Sequence, residues 1–429
     1  MLDKAEEIIK KYPLCDSCLG RLFGLKGYGL ENSERGFAIK TLLLMKHYRA
    51  DEGIRDRDLI VKIAETGFKA AVQLAVENGL SFERKPCYLC EGLLNRVVSL
   101  KDKILTVLKG YQFSTFLIGC KIPTKILKKE EALWSAYSLE DAESIKNEVS
   151  RRLGKTLTEA LGKDYSPRSP DITVIVDIEN EKIEIFPSPV FVYGRYRKLV
   201  RGLPQNPWLR EDRSRIKYYT SIEELITKPM VRFFKGKGAK LHAAGREDVD
   251  VRTLGKGRPF VVEIKAPKLR QANLFELEKT INEEAKGLVE VHGLKIVDSK
   301  YVRAIKALAE IARKTYSARV VFESEINEHS LDRLEKEFRD VTISQRTPLR
   351  VLHRRKDRVR KKVVYEVSVR KLGDKVAEFK IVCQGGLYVK ELIHGDNGRT
   401  KPNFAEILGN KVKSIELDVI DIEERLPLS

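Results

Sequence analysis

Apolar residues fall at helical spacing along the first part of this 429-residue chain and shift to strand-like runs further on. Ser33 to His47 sets Phe37, Ile39, Leu42, Leu43 and Leu44 near one stripe; Asp58 to Asn78 repeats the pattern, with Gly79 as its cap. Phe113 to Gly119 reads as a strand, and Ser138 to Leu161 as a helix in which Gly154 is a candidate break. Ile172 to Ile178 is a buried strand by its β-branched content, paired with Lys182 to Phe186 through the turn at Glu179-Asn180-Glu181. In the second half, strands are expected at Phe260 to Ala266, Val289 to Val297 and Ser317 to Glu323. Helices are expected at Asn273 to Glu284, Val302 to Arg313 and Ser330 to Phe338. A hairpin joins Val363–Lys371 to Ala377–Cys383 through Gly373-Asp374. This irregular interleaving predicts an α+β protein with a mixed, largely antiparallel C-terminal sheet and flanking helices. Pro204 and Pro207 mark the main boundary, which gives a helical module over 1–98, an α+β unit over 99–205 and a second domain over 206–429.

Charge narrows the partner. Lys and Arg number 81 against 62 Asp and Glu, a formal net charge of +19 that favours a polyanion. An anionic membrane surface is the rival, but no long apolar run appears and Met1 to Tyr12 has no signal-peptide core, so a soluble, cytoplasmic protein is expected. Between Arg346 and Lys362 lie nine cations and one acid, Asp357. Such crowding costs stability unless phosphates neutralise it, which points to RNA or DNA. Tyr193 to Trp208 mixes cations with aromatics and reads equally as a nucleic-acid contact or as an inter-domain linker.

Cys15, Cys18, Cys87 and Cys90 form two pairs with the spacing that lets each pair meet one tetrahedral ion. Structural zinc is the favoured reading; disulfides or buried thiols are the alternative. Gly20 and Gly92, close behind the pairs, suit a metal knuckle. The loop Gly245-Arg246-Glu247-Asp248-Val249-Asp250-Val251-Arg252 holds acids between two arginines, whose charges favour an ionised carboxylate. Gly385-Gly386-Leu387-Tyr388-Val389-Lys390 is a second loop in which backbone could approach a ligand closely. No phosphate-cradling Gly-Lys-Ser/Thr loop and no deaminase signature is present.

Gly245-Arg246-Glu247-Asp248 resembles the catalytic loop of pseudouridine synthases, and its continuation through Arg258-Pro259-Phe260 is similar to the archaeal and eukaryotic tRNA branch, the "Pus ten" family. Lys314 through Ala318 resembles the second motif of that branch, Gln345 through Arg355 a family hallmark, and Tyr388 through Asp396 the third motif. The cysteine pairs and the α+β unit resemble its N-terminal half, with a THUMP-like RNA-binding part. The resemblance implies that Asp248 is the catalytic aspartate. Tyr316 would stack on the flipped base and assist proton abstraction at C5, and Lys390 would hold Asp248 ionised. Val389 and Leu417 would wall the base pocket, with Arg246, Tyr388, Arg346, Arg350, Arg354 and Arg355 as further substrate contacts. Asp250, in an extended loop, would face away from Asp248. The implied substrate is uridine 55 of the tRNA T loop, with uridine 54 as well. The mechanism that the resemblance implies needs no cofactor and no nucleotide; the cysteine pairs call for one structural zinc, and a two-domain RNA enzyme of this size is expected to work as a monomer. A non-catalytic RNA-binding chaperone is the alternative; a THUMP-linked methyltransferase finds no cofactor-binding glycine loop.

Overall fold

A computed structural model describes residues 1–208 and 218–423, apart from the side chains of Val98 and Arg354. The chain divides into two compact units, Met1–Ser188 and Pro189–Ser429.

The first unit holds eight helices: α1 (Leu2–Lys11), α2 (Asp16–Arg21), α3 (Asn32–His47), α4 (Arg57–Glu65), α5 (Lys69–Glu77), α6 (Leu93–Leu108), α7 (Thr124–Tyr137) and α8 (Ile145–Leu161). A two-residue pair, β1 (Tyr48–Arg49) and β2 (Gly53–Ile54), follows α3. The remaining strands are β3 (Thr115–Lys121), β4 (Asp164–Tyr165), β5 (Ile172–Asp177) and β6 (Lys182–Pro187), in sheet order β4-β3-β5-β6. Strand β5 alternates buried and half-buried side chains, so one face rests on the core. The 58–78 pattern is two helices rather than one, because Gly67 takes φ +87° between α4 and α5. Gly154 does not break α8: a Cβ there would lie 3.6 Å from the Tyr165 ring, and its absence lets the helix lie close on the sheet. Helix α7, whose Ile126, Glu130 and Leu133 form a buried stripe, lies where the sequence reading assigns nothing.

Nor does the expected break at 98 exist as a gap. Helix α6 runs through it, and one apolar cluster extends from Ala5 to Ile178.

The second unit is built on one large sheet. Its strands are β7 (Val190–Lys198), β8 (Gly238–Ala243), β9 (Arg252–Lys265), β10 (Val289–Val297), β11 (Arg313–Phe322), β12 (Val341–Arg346), β13 (Val359–Gly373), β14 (Val376–Gln384), β15 (Thr400–Lys401) and β16 (Val412–Ile422). Helices α9 (Ile222–Phe233), α10 (Leu274–Glu284), α11 (Lys300–Ile311), α12 (Glu328–Glu337), α13 (Val389–His394) and α14 (Phe404–Leu408) flank it, with one 3₁₀ turn at Leu349–Arg354. The order is β10-β7-β9-β16-β11-β14-β13-β12-β15, with β8 also on β9. All pairs are antiparallel except β16 with β9, where Asp418 lies opposite Arg252. That parallel joint brings β16, the last described strand, beside the acidic loop.

The boundary expected at 205 is corrected by β7, which starts at Val190 and pairs with both β9 and β10. Two apolar clusters support the sheet, one under β7, β9 and β10 and one under β11 to β16.

Candidate active site

The loop from Ala244 to Val251 joins β8 to β9. Gly245 takes φ +82°, and the Val251 amide donates to the Asp248 carbonyl at 3.0 Å, so the loop turns instead of running extended. Its three acids therefore part. Glu247 points inward, is buried, and lies 2.8 Å from the equally buried Arg258 guanidinium. The Tyr196 hydroxyl donates to Glu247 at 3.0 Å, and Gln205 donates to Tyr196 and to the Gly245 carbonyl. Arg258 also donates to the Ala244 carbonyl at 2.7 Å. This buried pair, held further by Tyr196 on the acid and the Ala244 carbonyl on the arginine, fixes the loop, and removing one partner would strand the other charge.

Asp248 points into a cavity instead. Arg350 reaches it with both terminal nitrogens at 3.0 Å and grips the buried Glu391 with Nε at 2.6 Å. Lys390 Nζ lies 3.9 Å from Asp248 but 2.6 Å from Asp250. The expected geometry is thus revised twice. Arg350, more than Lys390, neutralises Asp248; and Asp250 shares Lys390 with Asp248 because the turn carries both acids to the same side. Burial works to raise the Asp250 pKa, but the hydrogen bond and charge of Lys390 together with the Arg350 charge outweigh it and hold it below the usual carboxylate range. The flanking arginines do not supply the charge: Arg252 pairs with Asp418 at 2.6 Å, and Arg246 is exposed at the cavity rim.

Two distant segments close the site. Gln345, buried on β12, donates to the Tyr388 carbonyl and accepts from the Tyr388 amide, which fixes the start of α13 and hence Lys390. Arg355 donates to the Tyr388 hydroxyl at 3.0 Å. On the central strand, Tyr316 of β11 lies opposite Val419 of β16 and Ile381 of β14. Burial pushes the Tyr316 phenol well above its ordinary pKa.

The resulting cavity, about 450 Å³, is lined by Asp248, Tyr316, Lys390, Val389 and Leu417, with Arg246, Arg350, Arg355 and Tyr388 also reaching it. Arg346 does not line it and pairs with Asp357 at 2.8 Å; the Arg354 side chain lies outside the described residues. The Glu247–Arg258 pair escapes the sequence reading, although an arginine beside the apolar Pro259–Ile264 run hints at a buried acid.

The cations of Tyr193 to Trp208 are largely turned to internal use. Arg195 donates to the carbonyls of Lys256, Gly257 and Ile422, Lys198 to those of Asp248 and Val249, and Arg201 to those of Asp250 and Leu417.

In the first unit the sulfurs of Cys15, Cys18, Cys87 and Cys90 all lie within 4.8 Å of one another, none in a disulfide. The Cys15–Cys90 sulfur separation of 3.8 Å is too long for a disulfide and matches thiolates about 2.3 Å from a shared tetrahedral ion. The four could hold a metal ion. Gly20 serves a different purpose from the one expected: α2 crosses α3 so closely that a Cβ at Gly20 would collide with the Asn32 backbone, and one at Gly36 with that of Asp16. This crossing, with the buried Arg21–Glu130 pair, fixes the first cysteine pair.

Comparison with known proteins bears on both units. The chain is 52% identical over 425 residues to tRNA pseudouridine synthase Pus10 of Thermofilum pendens, covering 99% of this chain and 96% of that one. It is 42% identical to the protein of the same name from Methanocaldococcus jannaschii, covering 97% and 94%. Among solved structures, a Cbf5-Nop10-Gar1 complex overlays with a TM-score of 0.29 and 18% identity, covering 53% of this chain and 58% of that one, a likeness too loose to decide anything about the site. The protein is an enzyme of the pseudouridine synthase class, an isomerase. Residues 191–423 match the model described as "Pus10, C-terminal" and residues 100–177 the "Pus10 THUMP domain, archaeal". The chain belongs to the Pus10 family.

Proposed function

We propose that the chain converts uridine 55 of the tRNA T loop, and uridine 54 beside it, to pseudouridine, with Asp248 as the catalytic carboxylate. The observation that carries this reading is the meeting of Asp248, Tyr316 and Lys390, from three distant segments, around one cavity. A uridine flipped from its stack costs a few kcal/mol, offset here by packing between Val389, Leu417 and the Tyr316 ring. Asp248 then assists cleavage of the bond between N1 and the ribose; the freed uracil turns while held and rejoins through C5. Bonds are exchanged within one nucleotide, so the residues at hand suffice. Arg350 and Lys390 pair with the Asp248 carboxylate and hold it in a fixed direction.

The T arm would lie along the basic segment. Among the described residues, Lys356, Arg358 and Lys361 are exposed with no acid or carbonyl engaging their side chains, as phosphate contacts require. Zinc is the ion that best suits four closely grouped cysteine sulfurs, in a closed and hence structural site. One chain supplies every cavity residue, so a monomer suffices, and a tRNA substrate suits a cytoplasmic protein. No described helix is long and apolar enough to cross a membrane.

Asp248→Asn tests the reading directly. Pseudouridine formation on a T-arm transcript, mapped by carbodiimide modification, should fall more than about a thousandfold while RNA binding persists. Retained turnover would move the catalytic group elsewhere, and transcripts lacking one or other uridine would separate the two positions.

A further inference from the structure

Lys314 is a buried group that the mechanism above leaves unused. It stands two residues before Tyr316 on β11, so both side chains project from the same face of the strand, and both line the cavity. Its side chain is almost fully enclosed, yet among the described residues no carboxylate or carbonyl pairs with Nζ. A buried lysine ordinarily has such a partner. The amine reaches the catalytic loop because position 245 is bare: a Cβ on Gly245 would begin 3.1 Å from Lys314 Nζ. The charged and titratable groups facing it are Arg258 on β9, Cys383 on β14, Glu247 of the loop and Lys362 on β13. Burial first, and then the Arg258 charge, bring its pKa from 10.5 down to about 7. Tyr316 cannot share such a role easily, since burial drives its phenol the other way and keeps its proton on.

We propose that Lys314 is a further catalytic residue, the base that receives the C5 proton of the rotated uracil. This rests on the pseudouridine reading and deepens it. Once C5 has bonded to C1′, C5 carries one hydrogen too many and the ring holds an N1=C6 double bond. The Lys314 amine takes the C5 proton, the C5–H electron pair restores the C5=C6 double bond, and N1 takes a proton from solvent. Lys314 then releases its proton to solvent, so no proton is gained or lost overall.

A target carrying fluorine at C5 separates this step from the rest. It has no C5 proton to lose; after rearrangement its N1=C6 bond takes up water. Single-turnover rates would be measured on T-arm transcripts with uridine or 5-fluorouridine at the target position, for the wild type and Lys314→Met. The wild-type rate on uridine should rise with pH to a plateau above about 7. Lys314→Met should lose that rise and slow about a hundredfold on uridine, while rearranging the fluorinated RNA at close to the wild-type rate. Lys314→Arg, which keeps bulk and charge but cannot give up its proton, should show the same selective loss if the methionine variant folds poorly. Equal losses on the two RNAs would reduce Lys314 to a packing role, and unchanged rates on both would remove it from the reaction; either result overturns the proposal. Asp248→Asn should lose both rearrangements, and a wild type inert on both RNAs would overturn the pseudouridine reading and this step with it.

Discussion

Residues 193–208 and 346–362 both crowd cations onto a short piece of chain, yet the fold treats them in opposite ways. In the first, Lys198 is fully buried, and Arg195 and Arg201 reach backbone carbonyls of neighbouring strands and of the acidic loop. In the second, Arg350 turns inward to Asp248 and Arg346 pairs at the surface with Asp357, but Lys356, Arg358 and Lys361 remain exposed with no acid on them among the described residues. Thr347 closes this stretch into a loop by pairing with the Arg358 backbone and accepting from Arg360. Cation density alone therefore does not mark an RNA surface. What separates the two is whether a carbonyl or carboxylate already holds each charge.

The sharpest way to break this comparison is to remove the exposed set. Lys356→Ala, Arg358→Ala and Lys361→Ala together should weaken tRNA binding by about tenfold or more, and should flatten the dependence of log Kd on log salt by about 2 to 3. Stability should stay within about 0.5 kcal/mol, because none of the three side chains holds the fold together. An unchanged salt slope in filter binding would show that RNA lies elsewhere.

The opposite substitution belongs to the first stretch. Arg201→Met removes charge-assisted donors from the Asp250 and Leu417 carbonyls and from Asp418. Denaturant unfolding should show a loss of about 1.5–3 kcal/mol, with the salt slope of RNA binding unmoved. A shallower slope with stability intact would reverse the assignment and return this segment to the RNA surface.

Much of the scaffold was legible beforehand for a physical reason. Strand β10 spans Val289–Val297 as expected, and the β5–β6 hairpin forms where β-branched residues flank a polar turn. Both signals are local. Strand β7 was not legible because its charged residues imitate a solvated linker; only the strands beside it supply the carbonyls that absorb Arg195 and the core that covers Tyr196. The site divides along the same line. Motif likeness names Asp248, Tyr316 and Lys390, but the sharing of Arg350 between Asp248 and Glu391 depends on a side chain arriving 102 residues away in sequence. Spacing along the chain carries no trace of such a bond. The inward turn of Glu247 left one sign, an arginine at 258 leading an apolar strand.

The smallest expected effect concerns the most deeply buried cation of the first stretch. Burial, only partly countered by Glu247, Asp250 and Asp248, brings the Lys198 pKa from 10.5 to about 8. Below pH 8 the amine is protonated in both folded and unfolded chains, and the full cost of burying its charge is present. Between about 8 and 10.5 the unfolded chain binds more protons than the folded one, so stability rises with pH across that window. Lys198→Met has no such proton to release. The stability of the wild type relative to this variant should therefore climb from pH 8 to pH 10, read by urea unfolding at each pH. A constant difference would mean that Lys198 ionises as an exposed lysine does, and that the first stretch is looser and more available to solvent than its carbonyl contacts imply.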